Sequence, residues 1–480
     1  MLVSFVSFVI MGSIGLIMRM NQGGLITIQA ELFYQLMTLH GLGMTSAALL
    51  AAIGGFAFVL NRIVPLNPRW LWTVLIIYFS GMMFVAVATL LGGFAAAWTA
   101  MYPLPFFSLG LWGVPAAVTA TAGLGLVAIG LLIYFAHIIT TTTKTYGGIR
   151  KALAWKFLSS WGKDPSDPPP PAVVLGTAVS IPGLITVLTA FIWLIPLWAQ
   201  AAGAINNFDV LFMKNFGYFF GHLFVNLSIY FAAALMLFVL PFHTKRQWKT
   251  TWISVLAFNL VIILILVPYF HHLYQDFAQP LELSIIGEIG TYISTLPVIL
   301  VAVFGGLEQF YRSGVKWSAT TLMLALGLWG WIFGGVGGAL DGTIAINQVM
   351  HNTLWIPAHF HTYFVLGTLE FAWAFLYFLV HELSHKPENS RSQLAAILYG
   401  FGGAGFVLMF FVSGALSIPR RFAMYEPQWQ VYAQLSVLPF IAMLAVGVIW
   451  LGYEIFSRFK SAWKQTYLNT ENDEKSTYLE

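Results

Sequence analysis

The chain has 480 residues, of which 59% are hydrophobic, 16% aromatic and only 8% charged, with a formal net charge of +4 and no cysteine. Soluble domains carry about 25% charged residues, and disorder needs low hydrophobicity with high net charge, so both classes are excluded. The missing cysteines exclude disulfides, iron–sulfur clusters, thiolate metal sites and covalent c-haem attachment, and no basic stretch reads as a nucleic-acid patch.

A bilayer crossing takes about 20 apolar residues. Twelve stretches meet that need, at 2–18, 36–60, 70–98, 109–137, 172–199, 217–241, 250–270, 284–309, 318–340, 353–380, 393–417 and 431–457. The expected fold is therefore all-α, a polytopic integral membrane protein with about twelve transmembrane helices whose surroundings are a lipid bilayer. Residues 1–18 lack the basic front and small-residue cleavage site of a signal peptide, so they read as a first span. One membrane domain is expected over 1–463, with a loose polar tail over 464–480. The Pro-rich piece Asp164–Pro171 is the one stiff linker, and no internal repeat is strong enough to use.

The basic residues test the span count. Connectors after even-numbered spans hold Arg62, Arg69, Lys144, Arg150, Lys151, Lys156, Lys163, Lys245, Arg246, Lys249, Arg312, Lys316, Lys386, Arg391, Arg458, Lys460, Lys464 and Lys475, eighteen of the 22 Lys and Arg. The other side keeps Arg19, Lys214, Arg420 and Arg421. Positive charge stays cytoplasmic during insertion, so a multi-pass protein of the cell membrane with both termini cytoplasmic is expected.

With cysteine absent, metal and electron chemistry falls to histidine. Of the eleven histidines, His137, His243, His381 and His385 lie at the cytoplasmic ends of spans and read as interfacial polar residues. The other seven are His40, His222, His271, His272, His351, His359 and His361. They sit at the outer ends of spans two, six, seven and ten, so four helices bring imidazoles to one slab of the membrane. Ionisable residues there are functional by default, and imidazole is the commonest metal ligand. His359 and His361, two residues apart, point about 200° apart on a helix, which suits a helix lying between two planar cofactors. His271 and His272 follow Pro268 at a helix end that can loosen and turn both toward one ion. With His222 they make a three-imidazole site with an open position, suited to copper, zinc or ferrous iron.

The segments Thr38-Leu39-His40-Gly41, Gly221-His222, His271-His272 and His351-Asn352-Thr353 through His359-Phe360-His361 resemble subunit I of the haem–copper oxidase superfamily, in the family's order and on its helices two, six, seven and ten. The resemblance covers nearly the whole chain and is nearest in wording to the B-type branch. It implies that His40 and His361 are axial ligands of a low-spin haem, and that His359 holds a high-spin haem. It further implies that His222, His271 and His272 hold one non-haem metal, Cu or Fe, facing the open side of that haem. Arg420 and Arg421 match the pair that anchors haem propionates, where arginine forks suit carboxylates, and His351 and Asn347 fall among propionate-side polar groups. An electron-entry site (dinuclear copper or c-haem) would belong to a second subunit, with cytochrome c, a cupredoxin or quinol as donor.

One departure carries weight. B-type oxygen reductases place a cross-linked tyrosine one turn after the first distal-metal histidine, and here that position is Asn226. Tyr230 is another turn away, about 12 Å from His222 along the axis. Ala233, Leu237, Val298 and Val301 leave the usual proton ladder apolar. Nitric oxide reduction, 2 NO with two electrons and two protons giving N₂O and water, does not need the tyrosine. The sequence therefore points to a nitric oxide reductase, with an oxygen reductase of substituted active site as the alternative and a secondary transporter as a remote third. Asp276 and Glu282 read as outer-loop acids, and Glu288 as a buried polar or proton-entry group rather than a ligand.

Overall fold

The computed structural model describes residues 1–163 and 167–477, with side chains through Lys464. Eleven helices are long and apolar enough to cross a membrane. They are α1 (Leu2–Gln22), α2 (Ala30–Asn61), α3 (Pro68–Leu90), α4 (Val114–Tyr146), α5 (Pro171–Ala201), α6 (Val210–Thr244), α8 (Leu281–Phe310), α9 (Ala319–Asp341), α10 (Trp355–Ser384), α11 (Ser390–Ala415) and α12 (Pro427–Lys464). Between α6 and α8 lies the shorter α7 (Trp252–Leu264). Among the described residues there is no strand, only an isolated bridge between Thr353 and Pro419.

Local chemistry sets the helix ends. Asp209 caps α6 by accepting from the Phe212 N–H, Asn389 caps α11 through Ser392, and capping boxes at Thr251/Ser254 and Ser318/Thr321 start α7 and α9. Each satisfies N–H groups that a helix start leaves without partners. The seventh expected span, 250–270, divides in two. Proline lacks an N–H and disfavours helix in the residue before it, so α7 stops at Leu264 and the chain resumes as a 3-10 turn, Pro268–Leu273. This piece still runs from one end of the bundle to the other. Near its start Trp252 donates to the Leu158 carbonyl, and beyond its end Asp276 pairs with Lys214 in the first turns of α6. Against the twelve expected spans, eleven helices among the described residues are long and apolar enough to cross, and the seventh is this divided piece.

Lipid and core divide the helices by burial. The most apolar windows of α2, α6 and α10 are 83%, 83% and 89% buried, whereas those of α3 and α8 are 33% and 28%. The three long helices that carry His40, His222, and His359 with His361 thus form the centre, and residues such as Ile76, Leu188, Phe333 and Leu438 make an apolar exterior that only a hydrocarbon environment tolerates at this extent. Connectors tie the two ends. Asn21 and Gln22 bond the carbonyls of Ala423 and Phe422 at the histidine end, while Arg458 donates to the Lys386 and Pro387 carbonyls at the lysine-rich end. The last helical segment, Ala442–Thr477, runs on through the stretch expected to be a loose tail. Residues 164–166 of the expected linker, and 478–480 of the tail, lie outside the described residues.

Candidate active site: a histidine-lined cavity

All seven outer histidines line one cavity of about 590 Å³ at the centre of the bundle. The other four lie elsewhere: His137 accepts from the Asn67 N–H, His381 meets Arg458, and neither His243 nor His385 borders the cavity.

His40 and His361 face each other with ring centroids 6.3 Å apart and planes 20° from parallel. Two metal–nitrogen bonds of about 2.0 Å on opposite sides of one iron, with half a ring at each end, span just over ~6 Å. Each ring is fixed through its far nitrogen: His40 Nδ1 lies 2.7 Å from the Met11 carbonyl and His361 Nδ1 2.6 Å from the Pro357 carbonyl. That leaves both Nε2 atoms as acceptors toward the gap, the arrangement by which a carbonyl orients a ligating imidazole. Gly15 is required here, since a Cβ on it would stand 2.7 Å from His40 Cε1.

His222, His271 and His272 bring one nitrogen each within 4.8 Å of one another. His222 Nδ1 and His272 Nε2 are 3.3 Å apart, close to the ~3.3 Å between two ligands of a tetrahedral ion with bonds of about 2.0 Å. The 3-10 turn after Pro268 is what lets the adjacent pair converge. Thr291 completes the support: its hydroxyl donates to the Gly287 carbonyl at 2.7 Å and accepts from His271 Nδ1 at 3.1 Å. Asn226, one turn past His222, bonds the His222 carbonyl at 2.8 Å and sits 3.2 Å from His222 Nε2. The amide therefore occupies the place that the sequence reading gave it.

His359 turns to the opposite face from His361, against α9. A Cβ on Gly337 would lie 2.7 Å from His359 Nδ1, so only glycine admits the ring at this closeness. The π-helical segment Phe364–Thr368 follows directly below, a deviation common at functional sites.

The arginines come from the loop before α12. Backbone bonds from Leu354 N to the Ile418 carbonyl and from Arg420 N to the Asn352 carbonyl pin this loop to the start of α10. Arg421 is held at φ +68°, both arginines line the cavity, and Arg420 Nη2 is 3.5 Å from either nitrogen of His351. Asn347 ties the site's rim by donating to the Asp341 carbonyl at 2.7 Å. Arg19, which sequence reasoning left as an ordinary outer-side charge, is buried over the Phe410 ring at 4.5 Å. It also lines the cavity, and its Nε and Nη2, like Arg420 Nε, have no partner among the described residues. Buried guanidinium donors without acceptors fit ligand carboxylates such as propionates. The chain's donors thus suit two haems and one His₃ metal.

The acids near the double histidine stand outside the three-histidine group. Asp276 is tied to Lys214 at 2.7 Å. Burial acts to raise its pKa, but the Lys214 ammonium and the Ala278 N–H outweigh it and hold the carboxyl below its usual value. Glu288 accepts from the Tyr292 hydroxyl at 3.0 Å and from the Ile344 N–H, and Glu282 takes no part in the three-histidine group.

Comparison with known proteins agrees with this geometry. The sequence profile of the family described as Cytochrome C and Quinol oxidase polypeptide I matches residues 1–448. The chain belongs to this family. It is 26% identical over 309 residues to the "Cytochrome c oxidase subunit 1" of Thermus thermophilus, covering 60% of this chain and 54% of that one. It is likewise 26% identical over 490 residues to the "Heme-copper oxidase subunit I+III" of Aeropyrum pernix, covering 93% and 55%. The chain thus spans about half the length of these relatives. A heme-copper terminal oxidase dimer solved by cryo-EM has the same fold, with a TM-score of 0.79, 20% identity, and coverage of 95% of this chain and 83% of that one. Membership excludes the transporter reading. The narrower expectation of a B-type branch, read from the wording of His351 through His359, and of a nitric oxide variant, read from Asn226, finds no support in these relatives, which carry oxidase names.

Proposed function

We propose that this chain is the catalytic subunit of a respiratory terminal oxidase that reduces O₂ to water. The observation that carries the reading is the sorting of six histidines in one buried cavity into a facing pair, a single ligand and a triad. Bound haems and the triad metal would store the electrons and bond the diatomic substrate. The chain's part is to hold and insulate them. His40 and His361 would hold one haem between them and reserve it for electron transfer, while His359 would hold a second haem with a single ligand near His222, His271 and His272. Arg420, Arg421 and Arg19 compensate propionate charge, with His351 and Asn347 beside them. The Asn226 amide nitrogen, donating to the His222 carbonyl and lying 3.2 Å from His222 Nε2, helps to orient that ring.

Electrons would come from a second subunit carrying dinuclear copper or c-haem, since the chain has no cysteine, with cytochrome c, a cupredoxin or quinol as the ultimate donor. The setting would be the plasma membrane, with the lysine-rich end and both termini cytoplasmic. A second reading, nitric oxide reduction, is favoured by Asn226 alone, because an amide cannot supply the electron that a redox tyrosine gives. Purified complex supplied with a chemical reductant and each gas in turn decides between them. Rapid O₂ uptake with slow NO loss supports the oxidase; NO turnover without O₂ uptake replaces it with the second reading.

A further inference from the structure

Glu370 is a carboxyl group that the histidine cavity does not use. It lies on α10 nine residues past His361, about 13 Å along the helix, fully buried, and neither of its carboxyl oxygens has a hydrogen-bond partner among the described residues. Its neighbours are apolar or small: a Cβ on Gly400 of α11 would come 3.6 Å from Oε1, and one on Gly327 of α9 would touch Glu370 Cβ at 3.5 Å. An ionised carboxylate there is costly, so the group keeps its proton at rest and loses it only transiently. Ionisable residues within membrane helices mark ion or proton routes.

A column of polar groups leads to it. Glu370, Trp373, Tyr377 and His381 recur at i, i+3, i+7 and i+11, which is one face of α10. At the lysine-rich end, Arg391, half exposed, reaches Glu454 at 4.0 Å. Asn389 donates to Glu454 Oε1 at 3.2 Å, and the Ser392 hydroxyl donates to Asn389 Oδ1 at 3.0 Å. Buried Arg458 joins Glu454 at 3.4 Å and His381 Nδ1 at 3.1 Å. Tyr377 stacks on His381 at 5.9 Å with its hydroxyl toward Ser392. At the other end, Tyr399 beside Glu370 donates to the Val365 carbonyl at 2.8 Å, inside the π-helical segment, and Val365 lines the histidine cavity.

We propose that Glu370 is a proton-holding site between the lysine-rich face and the His40–His361 pair, filled along this face of α10 and emptied toward the cavity when the redox state of that pair's cofactor changes. It rests on reading His40 and His361 as haem ligands. The step moves a proton and no electron: the Glu370 O–H breaks, its proton passes by water toward the Tyr399–Val365 end, and the carboxylate regains one from water through the Tyr377, Ser392 and Glu454 group.

Redox-difference infrared spectroscopy of the purified holoenzyme tests this. A carboxylic-acid C=O band should change between oxidised and reduced enzyme, shift in D₂O, vanish in Glu370→Gln and move in Glu370→Asp. Tyr377→Phe should keep the band while slowing its appearance at least severalfold. Visible spectra of the same samples separate two failures. Absence of the low-spin haem would refute the ligand reading, whereas an intact haem with identical carboxyl regions in native enzyme and Glu370→Gln would overturn the proposal. Should Glu370→Gln not assemble, an unmoved band in Glu370→Asp overturns it equally.

Discussion

Gly15→Ala is a small change with a calculable consequence for the His40–His361 pair. The new Cβ would stand 2.7 Å from His40 Cε1, and ordinary van der Waals contact begins at 3.4 Å. The imidazole must therefore move, yet its Nδ1 is tethered at 2.7 Å to the Met11 carbonyl. Breaking that bond costs about 1 kcal/mol, and an off-rotamer ring adds about 0.5–1.5 kcal/mol. The sum is about 2 kcal/mol against ligation, which is roughly 30-fold in affinity at 1.4 kcal/mol per decade. Gly12→Ala is the control, because a Cβ there meets nothing within 4 Å. Haem content and the low-spin visible bands of both variants, read against the high-spin haem as internal standard, check the effect. Low-spin bands unchanged in Gly15→Ala, or lost equally in Gly12→Ala, would refute the reasoning.

Other outcomes follow from the same geometry. Thr291→Val removes the hydroxyl that orients His271, and outer-shell losses of this kind cost about 10–100-fold in metal affinity; metal analysis after mild chelation should show the loss with both haems retained. Arg420→Leu should weaken haem retention by about 1.5–3 kcal/mol, the worth of a hydrogen bond to a charged group, measured as faster haem transfer to an apo-acceptor. Asp276→Asn tests the outer ion pair. The native Asp276 carboxyl is held below its usual value, so its contribution exists above about pH 4 and fades as pH falls through the lowered folded value. Native protein should therefore exceed the variant in thermal stability at pH 7 by up to about 1 kcal/mol, and the gap should close below pH 4.

Much of the molecule was legible because the bilayer enforces simple rules. Apolar length gave eleven long helices and the divided seventh, and the lysines and arginines marked one end. Period and spacing gave the site: His359 and His361 do diverge, the proline before His271-His272 does unwind the helix, and Asn226 does reach His222 one turn back. What escaped depended on contacts distant in sequence. Arg19 looked like any charge at a span end until Phe410 and Tyr425, some 400 residues away, covered it. Glu370 vanished into an apolar run because its neighbours Tyr399 and Gly400 come from the next helix. The start of α6 at Val210 rather than 217 reflects the Asp209 cap, and Glu288, besides Tyr292 one turn on, is bound to the Ile344 N–H, a contact that no periodicity reveals. Asn226 was legible as the neighbour of His222, but one side chain that orients one ligand ring does not by itself name the gas that the enzyme reduces.

Carbon monoxide titration of the reduced, purified complex, set beside its total haem by the pyridine haemochrome method, bears most directly on the six histidines. His40 and His361 leave their iron no open position, and His359 leaves one. The account predicts two haems per chain with a single CO bound. Two CO per chain, none, or only one haem in all would contradict it.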